Sequence, residues 1–150
     1  MRLKYHLRGR PGLSHIALVQ QTLIEVSPQA DAMAQAFYQR LFELDPSLQS
    51  LFTHDWTGQR RKFTDTLTTL VQGLDRLHTV LPEIHQLGLR HVQYGVKPEH
   101  YATAGMALLW ALEHSLGHPL PEETRSAWIE AYQLLTTAIQ AGDFSPASPE

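Results

Sequence analysis

Apolar side chains recur every three or four residues along nearly the whole chain, which is the spacing of one face of an α-helix. No stretch alternates polar and apolar positions for long enough to require a strand. The pattern therefore predicts an all-α protein with six medium or long helices and one short helical turn that opens at Asp45-Pro46. No internal repeat is present, so a single domain is expected.

Proline, serine and glycine mark the ends of the predicted helices. Ser14 can cap the first helix. Residues 52–57 are expected to form an irregular corner, with the third helix starting near Gly58. Gly142 is expected to end the last helix. The later helices open at three further prolines, namely Pro82, Pro98 and Pro121.

Composition excludes several classes of protein. A chain of 150 residues can bury a core without crosslinks, and the lack of cysteine excludes disulfides, thiolate metal sites and cysteine nucleophiles. No apolar run approaches the roughly 20 residues of a membrane span, and no ordinary signal peptide is visible. We therefore expect a cytoplasmic protein with no membrane partner.

Charge is distributed unevenly along the chain. The net charge is −3, yet the first ten residues hold four basic side chains and no acid, so the rest of the chain carries −7. A negative main domain argues against nucleic-acid binding. We expect a basic N-terminal extension at 1–13, one domain at 14–142 and a loose C-terminal tail at 143–150.

One histidine, His91, lies on the apolar face of a predicted helix. Gly88 removes a side chain close before it, and Arg90 places a cation beside it. A buried imidazole must be hydrogen bonded, and a neutral imidazole nitrogen is a common metal ligand. Without further signals, such a residue is more often a hydrogen-bonded core histidine. The apolar stripe that His91 continues consists of Leu81, Ile84 and Leu87.

Other polar and aromatic side chains can converge on His91. Tyr38 lies on a helix face that must be largely buried, so its hydroxyl needs a partner. Gln59 and Phe63 are four residues apart and share one face of the next long helix. Taken singly, Tyr38 and Phe63 would be core residues and Gln59 a solvated one. Cations that could hold carboxylates at the mouth of an apolar slot are Arg60, Arg61, Lys62 and Arg90.

Four stretches of the chain carry a resemblance to a known family. They are AFYQRLFELDPSLQSLF at 36–52, LGLRHVQYGV at 87–96, EHY at 99–101 and RSAWIEAY at 125–132. The chain resembles globins, specifically bacterial single-domain globins related to the haem domain of flavohaemoglobins and to neuroglobin. The resemblance covers roughly residues 14–141. It implies a globin fold, a three-on-three helical sandwich around a haem pocket, with haem b (iron protoporphyrin IX) as the cofactor.

The resemblance also implies roles for individual residues. His91 corresponds to the proximal histidine, the axial ligand of the haem iron. Tyr38 and Gln59 correspond to the distal pair that hydrogen bonds to bound O₂. The resemblance further implies haem contacts from Phe52 at the corner, Phe63 over the iron, Leu87 and Val96 on the proximal side, Lys62 and Arg90 towards the propionates, and Tyr101 as the support of His91.

Two departures from flavohaemoglobins qualify these expectations. Asp143 stands where the flavohaemoglobin proximal network has a glutamate, and it is shorter and follows Gly142. A strongly electron-donating, peroxidase-like proximal side is therefore not expected. At 150 residues no flavin or nicotinamide reductase domain is expected in addition, so any catalytic cycle is expected to use a separate reductase.

The residue types favour tight, reversible O₂ binding. Tyrosine and glutamine both donate hydrogen bonds, which should favour O₂ over CO, although CO and NO are expected ligands as well. The alternatives are a nitric oxide dioxygenase served by a separate reductase and a haem-based redox or gas sensor. A helical bundle without a cofactor is disfavoured, because the pocket residues would then leave a large void.

Overall fold

The computed structural model describes residues 13–52 and 55–144, which form six α-helices and three short 3₁₀ segments. No strand occurs in these two ranges, so the prediction of an all-α protein is confirmed. The 3₁₀ segments are Ser27–Gln29, Pro46–Leu51 and Leu74–Val80. The helices are α1 (Leu13–Val26), α2 (Ala30–Leu44), α3 (Trp56–Gln72), α4 (Leu81–Tyr94), α5 (Pro98–Leu116) and α6 (Glu122–Phe144).

Three of the predicted helix ends were wrong. Helix α1 begins at Leu13, so Ser14 lies inside its first turn. Helix α3 begins at Trp56 because the Asp55 side chain caps it, accepting a hydrogen bond of 3.1 Å from the Gly58 amide. Helix α6 continues past Gly142 to Phe144 and includes the backbone of Asp143, since a glycine weakens a helix without forbidding it.

The helices pack in crossing pairs around a single core. Helix α2 lies along α5, both α1 and α4 pack on α6, and α3 contacts α1 and α2. Each helix contributes at least one side chain that is almost completely buried, so the core is shared by the whole bundle. These side chains are Val19, Met33, Val71, Ile84, Leu112 and Trp128.

The turn between α4 and α5 places His91 opposite the start of α5. Gly95 ends α4 with a φ of 90°, a left-handed conformation that suits glycine, and the Val96 amide bonds back to the His91 carbonyl at 2.9 Å. The Lys97 amide then donates to Nδ1 of His100 at 3.0 Å, which stabilises the first turn of α5.

The apolar stripe of α4 is shorter than the sequence predicted. Leu81 is 39% exposed, whereas Ile84 is fully buried. Leu81 is the first residue of α4 and directly follows a 3₁₀ segment, so the helical face that contacts the core starts one turn later. Within the described residues, no helix combines the length and hydropathy that crossing a membrane requires.

Some sequence predictions fall outside the described residues. The basic segment 1–12, the end of the tail at 145–150 and positions 53–54 of the predicted corner belong to this group. The predicted boundaries of the extension, the domain and the tail therefore stay predictions.

Candidate functional site

The imidazole of His91 is held by a tyrosine from the next helix. Nδ1 of His91 lies 3.0 Å from the Tyr101 hydroxyl oxygen. Burial, together with the neighbouring Arg90 cation, lowers the pKa of His91 to about 4, so the ring is neutral at neutral pH. Because Nδ1 of His91 is engaged, Nε2 is the nitrogen that would coordinate an iron. Coordination through Nε2 requires the ring hydrogen to be on Nδ1, where it points at the Tyr101 hydroxyl oxygen.

Tyr101 is itself fixed by Tyr132 on α6. The Tyr132 hydroxyl donates a hydrogen bond to the Tyr101 carbonyl. Burial raises the pKa of Tyr132, as does the neighbouring Tyr101, so its hydroxyl keeps its proton at neutral pH. Gly105 makes room for this ring, because a Cβ there would lie 2.7 Å from it. No supporting role for Tyr132 was predicted from the sequence, although a glycine inside α5 was a signal of close packing.

We expect Gly105→Ala to destabilise the protein by about 1–2 kcal/mol, because the cost of overpacking against Tyr132 exceeds the helix-propensity gain of alanine over glycine. In a Tyr132→Leu background the same change should be neutral or stabilising by up to about 1 kcal/mol, since the ring is gone. Urea unfolding of the four proteins measures this coupling. Equal effects of Gly105→Ala in both backgrounds would contradict the packing argument.

The second polar pair joins α2 to α3. Nε2 of Gln59 donates a hydrogen bond of 2.8 Å to the Tyr38 hydroxyl oxygen. Burial raises the pKa of Tyr38 to about 12, an effect that outweighs the opposing hydrogen bond from Gln59. Tyr38 is therefore a neutral phenol at neutral pH. Because its oxygen accepts from Gln59, its own hydrogen remains to donate elsewhere.

Aromatic rings surround Tyr38. The ring of Phe52 lies edge-on at 5.3 Å between centroids, and that of Trp56 at 5.7 Å. Trp56 was missed by sequence analysis, which assigned it to an irregular corner, whereas the cap at Asp55 makes it the first residue of α3. The remaining rings in contact with Tyr38 are Phe37, Phe42 and Phe63.

The predicted cations separate into two groups. Nε of Arg60 forms an ion pair of 2.8 Å with Asp31 on α2, so this side chain ties α3 to α2. The side chains of Arg61 and Lys62 on α3 and of Arg90 on α4 are exposed. An open groove of about 350 Å³ lies between these two helices and reaches Arg90. Contact of Lys62 and Arg90 with haem propionates stays a prediction.

The residues present fit a haem. A single neutral imidazole with a hydrogen-bonded second nitrogen is a proximal ligand typical of haem iron. Half-buried apolar side chains accompany both polar pairs: the rings of Phe52 and Phe63 contact Tyr38, and Leu87 and Val96 lie close to His91 along the chain. The structure brings Tyr38 to Gln59 and His91 to Tyr101 as two separate hydrogen-bonded pairs.

Comparison with protein families and curated sequences finds one consistent relationship. The family profile described as Globin matches residues 35–139. The Flavohemoprotein of Bacillus subtilis (strain 168) is 27% identical over 129 residues, which cover 83% of this chain and 32% of that protein. The Flavohemoprotein of Bordetella bronchiseptica is 30% identical over 126 residues, which cover 82% and 31%. The chain thus spans about a third of the length of these relatives.

Solved structures share the arrangement of helices. A bacterial globin from Campylobacter jejuni superposes with a TM-score of 0.80 at 20% identity and covers 89% of this chain and 97% of its own. An engineered carbene transferase, a proposed nitric oxide dioxygenase from Rhodothermus marinus, gives 0.81 at 23% identity, covering 91% and 96%. A flavohemoglobin from Malassezia yamatoensis with bound FAD and heme gives 0.73 at 17% identity, covering 88% and 36%. At these identities the likeness shows the fold.

Proposed function

Because the chain belongs to the globin family, we propose that it holds haem b through His91 and binds O₂ reversibly and tightly at the ferrous iron. The observation that carries this proposal is the 2.8 Å hydrogen bond between Gln59 and Tyr38. It joins two polar side chains inside a cluster of aromatic rings, where a diatomic ligand would find hydrogen-bond donors and little water.

A ferrous haem held in this site would supply an open coordination position for O₂ and would make that ligand a better hydrogen-bond acceptor. Residues of the chain would hold the haem and orient its ligand His91. His91 would provide the nitrogen ligand to the iron, and Tyr101 fixes the orientation of the His91 ring. The remaining contacts proposed for the cofactor come from Phe52, Phe63, Leu87 and Val96 against the porphyrin and from Lys62 and Arg90 towards its propionates.

Tyr38 and Gln59 have different roles in binding O₂ in the proposed distal pocket. The Gln59 amide fixes the Tyr38 oxygen, which leaves the phenolic hydrogen to donate to a ligand. A hydrogen bond contributes about 0.5–1.5 kcal/mol, and about 3 kcal/mol when the acceptor carries charge. The more polar O₂ gains more from such a donor than CO does. The surrounding rings exclude water and so strengthen the bond.

We predict that the rate constant of O₂ dissociation stays constant between about pH 6 and about pH 9, because the pKa of Tyr38 is about 12. Loss of the phenolic proton would remove the donor and speed release, and this requires far more alkaline solution. Stopped-flow replacement of O₂ by CO measures the rate constant. An acceleration with a midpoint below pH 9 that is absent from Tyr38→Phe would contradict the neutral-donor assignment.

A second candidate is nitric oxide dioxygenation with electrons from a separate reductase. Two findings favour it: the curated relatives are flavohemoproteins, and one fold neighbour is a proposed nitric oxide dioxygenase. The Tyr38–Gln59 pair suits both functions. The oxygenated protein mixed with excess NO, NADH and a reductase separates them. Sustained NO consumption over many turnovers supports the enzyme, and a single stoichiometric reaction supports the O₂-binding protein.

The proposal includes a location and partners. CO and NO are expected to compete with O₂ for the same site, and a reductase is expected to return oxidised iron to the ferrous state. A cytoplasmic location agrees with a chain that contains no cysteine.

A further inference from the structure

Phe37 on α2 and Phe63 on α3 are stacked face to face. Their ring centroids are 4.2 Å apart and their planes differ by 13°. Phe37 is only 6% exposed, whereas Phe63 is half-buried and lies one helical turn after Gln59. The stack therefore joins a core side chain to a side chain on the face of α3 that carries the proposed distal glutamine.

Tyr38 contacts Phe63 from a second direction. The Tyr38 ring stands edge-on to Phe63 with centroids 5.7 Å apart and also edge-on to Phe37 at 5.0 Å. The three rings are thus in mutual contact. Phe63 cannot turn about its side-chain bonds without breaking the stack with Phe37 or moving against Tyr38.

We propose that Phe37 is a positioning residue that limits the size of the ligand the distal pocket accepts, by holding Phe63 in place. This inference rests on the proposed function, in which Phe63 would contact the haem beside the Tyr38–Gln59 pair. Phe37 acts through Phe63 and needs no contact with the ligand. If a smaller side chain replaces the Phe37 ring, space opens beside the face of Phe63. The Phe63 ring can then rotate into this space, which enlarges the distal pocket.

The effect should depend on ligand size. CO has only one atom beyond the one that binds the iron, so we expect it to bind without displacing Phe63 and its affinity to change little. An alkyl isocyanide such as n-butyl isocyanide binds the same ferrous iron and carries a chain that must displace Phe63. Movement of Phe63 should therefore favour the isocyanide selectively.

The test compares Phe37→Leu with Phe42→Leu in the haem-loaded, ferrous protein. Phe42 is a matched control, because its ring also contacts Tyr38, at 6.1 Å, and the ring contacts described for it lead to Phe52 and Trp56 rather than to Phe63. The ratio of the isocyanide Kd to the CO Kd is measured by spectrophotometric titration. Phe37→Leu should lower this ratio by about tenfold or more, and Phe42→Leu by less than about threefold.

A double-mutant cycle identifies the route of the effect. Phe63→Leu alone should lower the ratio as Phe37→Leu does, and adding Phe37→Leu to it should change the ratio by less than about twofold. Phe37→Met, which conserves more volume, replaces Phe37→Leu if that variant does not fold or retain haem. An unchanged ratio in the Phe37 variant, or full additivity with Phe63→Leu, would overturn the inference.

Failure of this inference can be told from failure of the proposed function. If O₂ release remains slow and dependent on Tyr38 while the Kd ratio is insensitive to Phe37, only the positioning role of Phe37 is rejected. If the protein takes up no haem, both proposals are rejected.

Discussion

Replacing Tyr38 with phenylalanine is expected to accelerate O₂ dissociation by about 10- to 100-fold while the haem stays bound. The change removes one hydroxyl and leaves the ring in its cluster of aromatic neighbours. It takes away the proposed donor to the ligand and also the acceptor of the Gln59 amide. Stopped-flow replacement of O₂ by CO gives the rate constant directly.

Tyr94→Phe is the matched control for this substitution, because Tyr94 is 57% exposed at the end of α4. Its O₂ dissociation rate should equal that of the unaltered protein. CO dissociation should be much less sensitive to Tyr38→Phe, since CO is a weaker hydrogen-bond acceptor. An O₂ dissociation rate that Tyr38→Phe leaves unchanged would remove Tyr38 from the distal role.

The second large effect is expected from His91→Ala, which should speed the loss of haem by more than about 100-fold. Replacing a residue that only hydrogen bonds to a metal ligand already lowers metal affinity by about 10- to 100-fold, and this change removes the proposed ligand itself. The substitution deletes the nitrogen proposed to bind the iron and also the partner of Tyr101. Haem loss is measured as transfer to an excess of a haem-free acceptor protein. Added imidazole should restore a five-coordinate ferrous spectrum by occupying the vacated space.

His85→Ala serves as the control for the loss of a histidine from α4, because His85 lies on the same helix with an exposed side chain. It should retain haem and keep the spectrum of the unaltered protein. If His91→Ala instead kept a normal histidine-ligated spectrum without added imidazole, the axial ligand would have to be assigned to another residue.

Helical periodicity was sufficient to predict the fold class and most of the helices. Apolar positions repeat at the helical spacing over each element, and a pattern of this kind depends only on neighbours along the chain. The ends of the helices were less predictable. The start of α3 depends on whether the Asp55 side chain reaches the Gly58 amide, and the apolar spacing contains no information on that contact.

Contacts between helices were the second feature of the structure that was difficult to predict from the sequence. The resemblance to globins led us to expect Tyr38 and Gln59 together, and the structure joins them across 21 positions of sequence. The bond from Tyr132 to the Tyr101 carbonyl and the Arg60–Asp31 ion pair were not predicted. Both depend on how two helices cross. The sequence of either helix alone does not determine that crossing.

The most direct test of the haem assignment is an absorption titration of the purified protein with haemin, followed by reduction and exposure to O₂. The account predicts equimolar uptake, a five-coordinate ferrous spectrum that requires His91, and a stable oxygenated spectrum. A folded protein that remains colourless and takes up no haemin would contradict it.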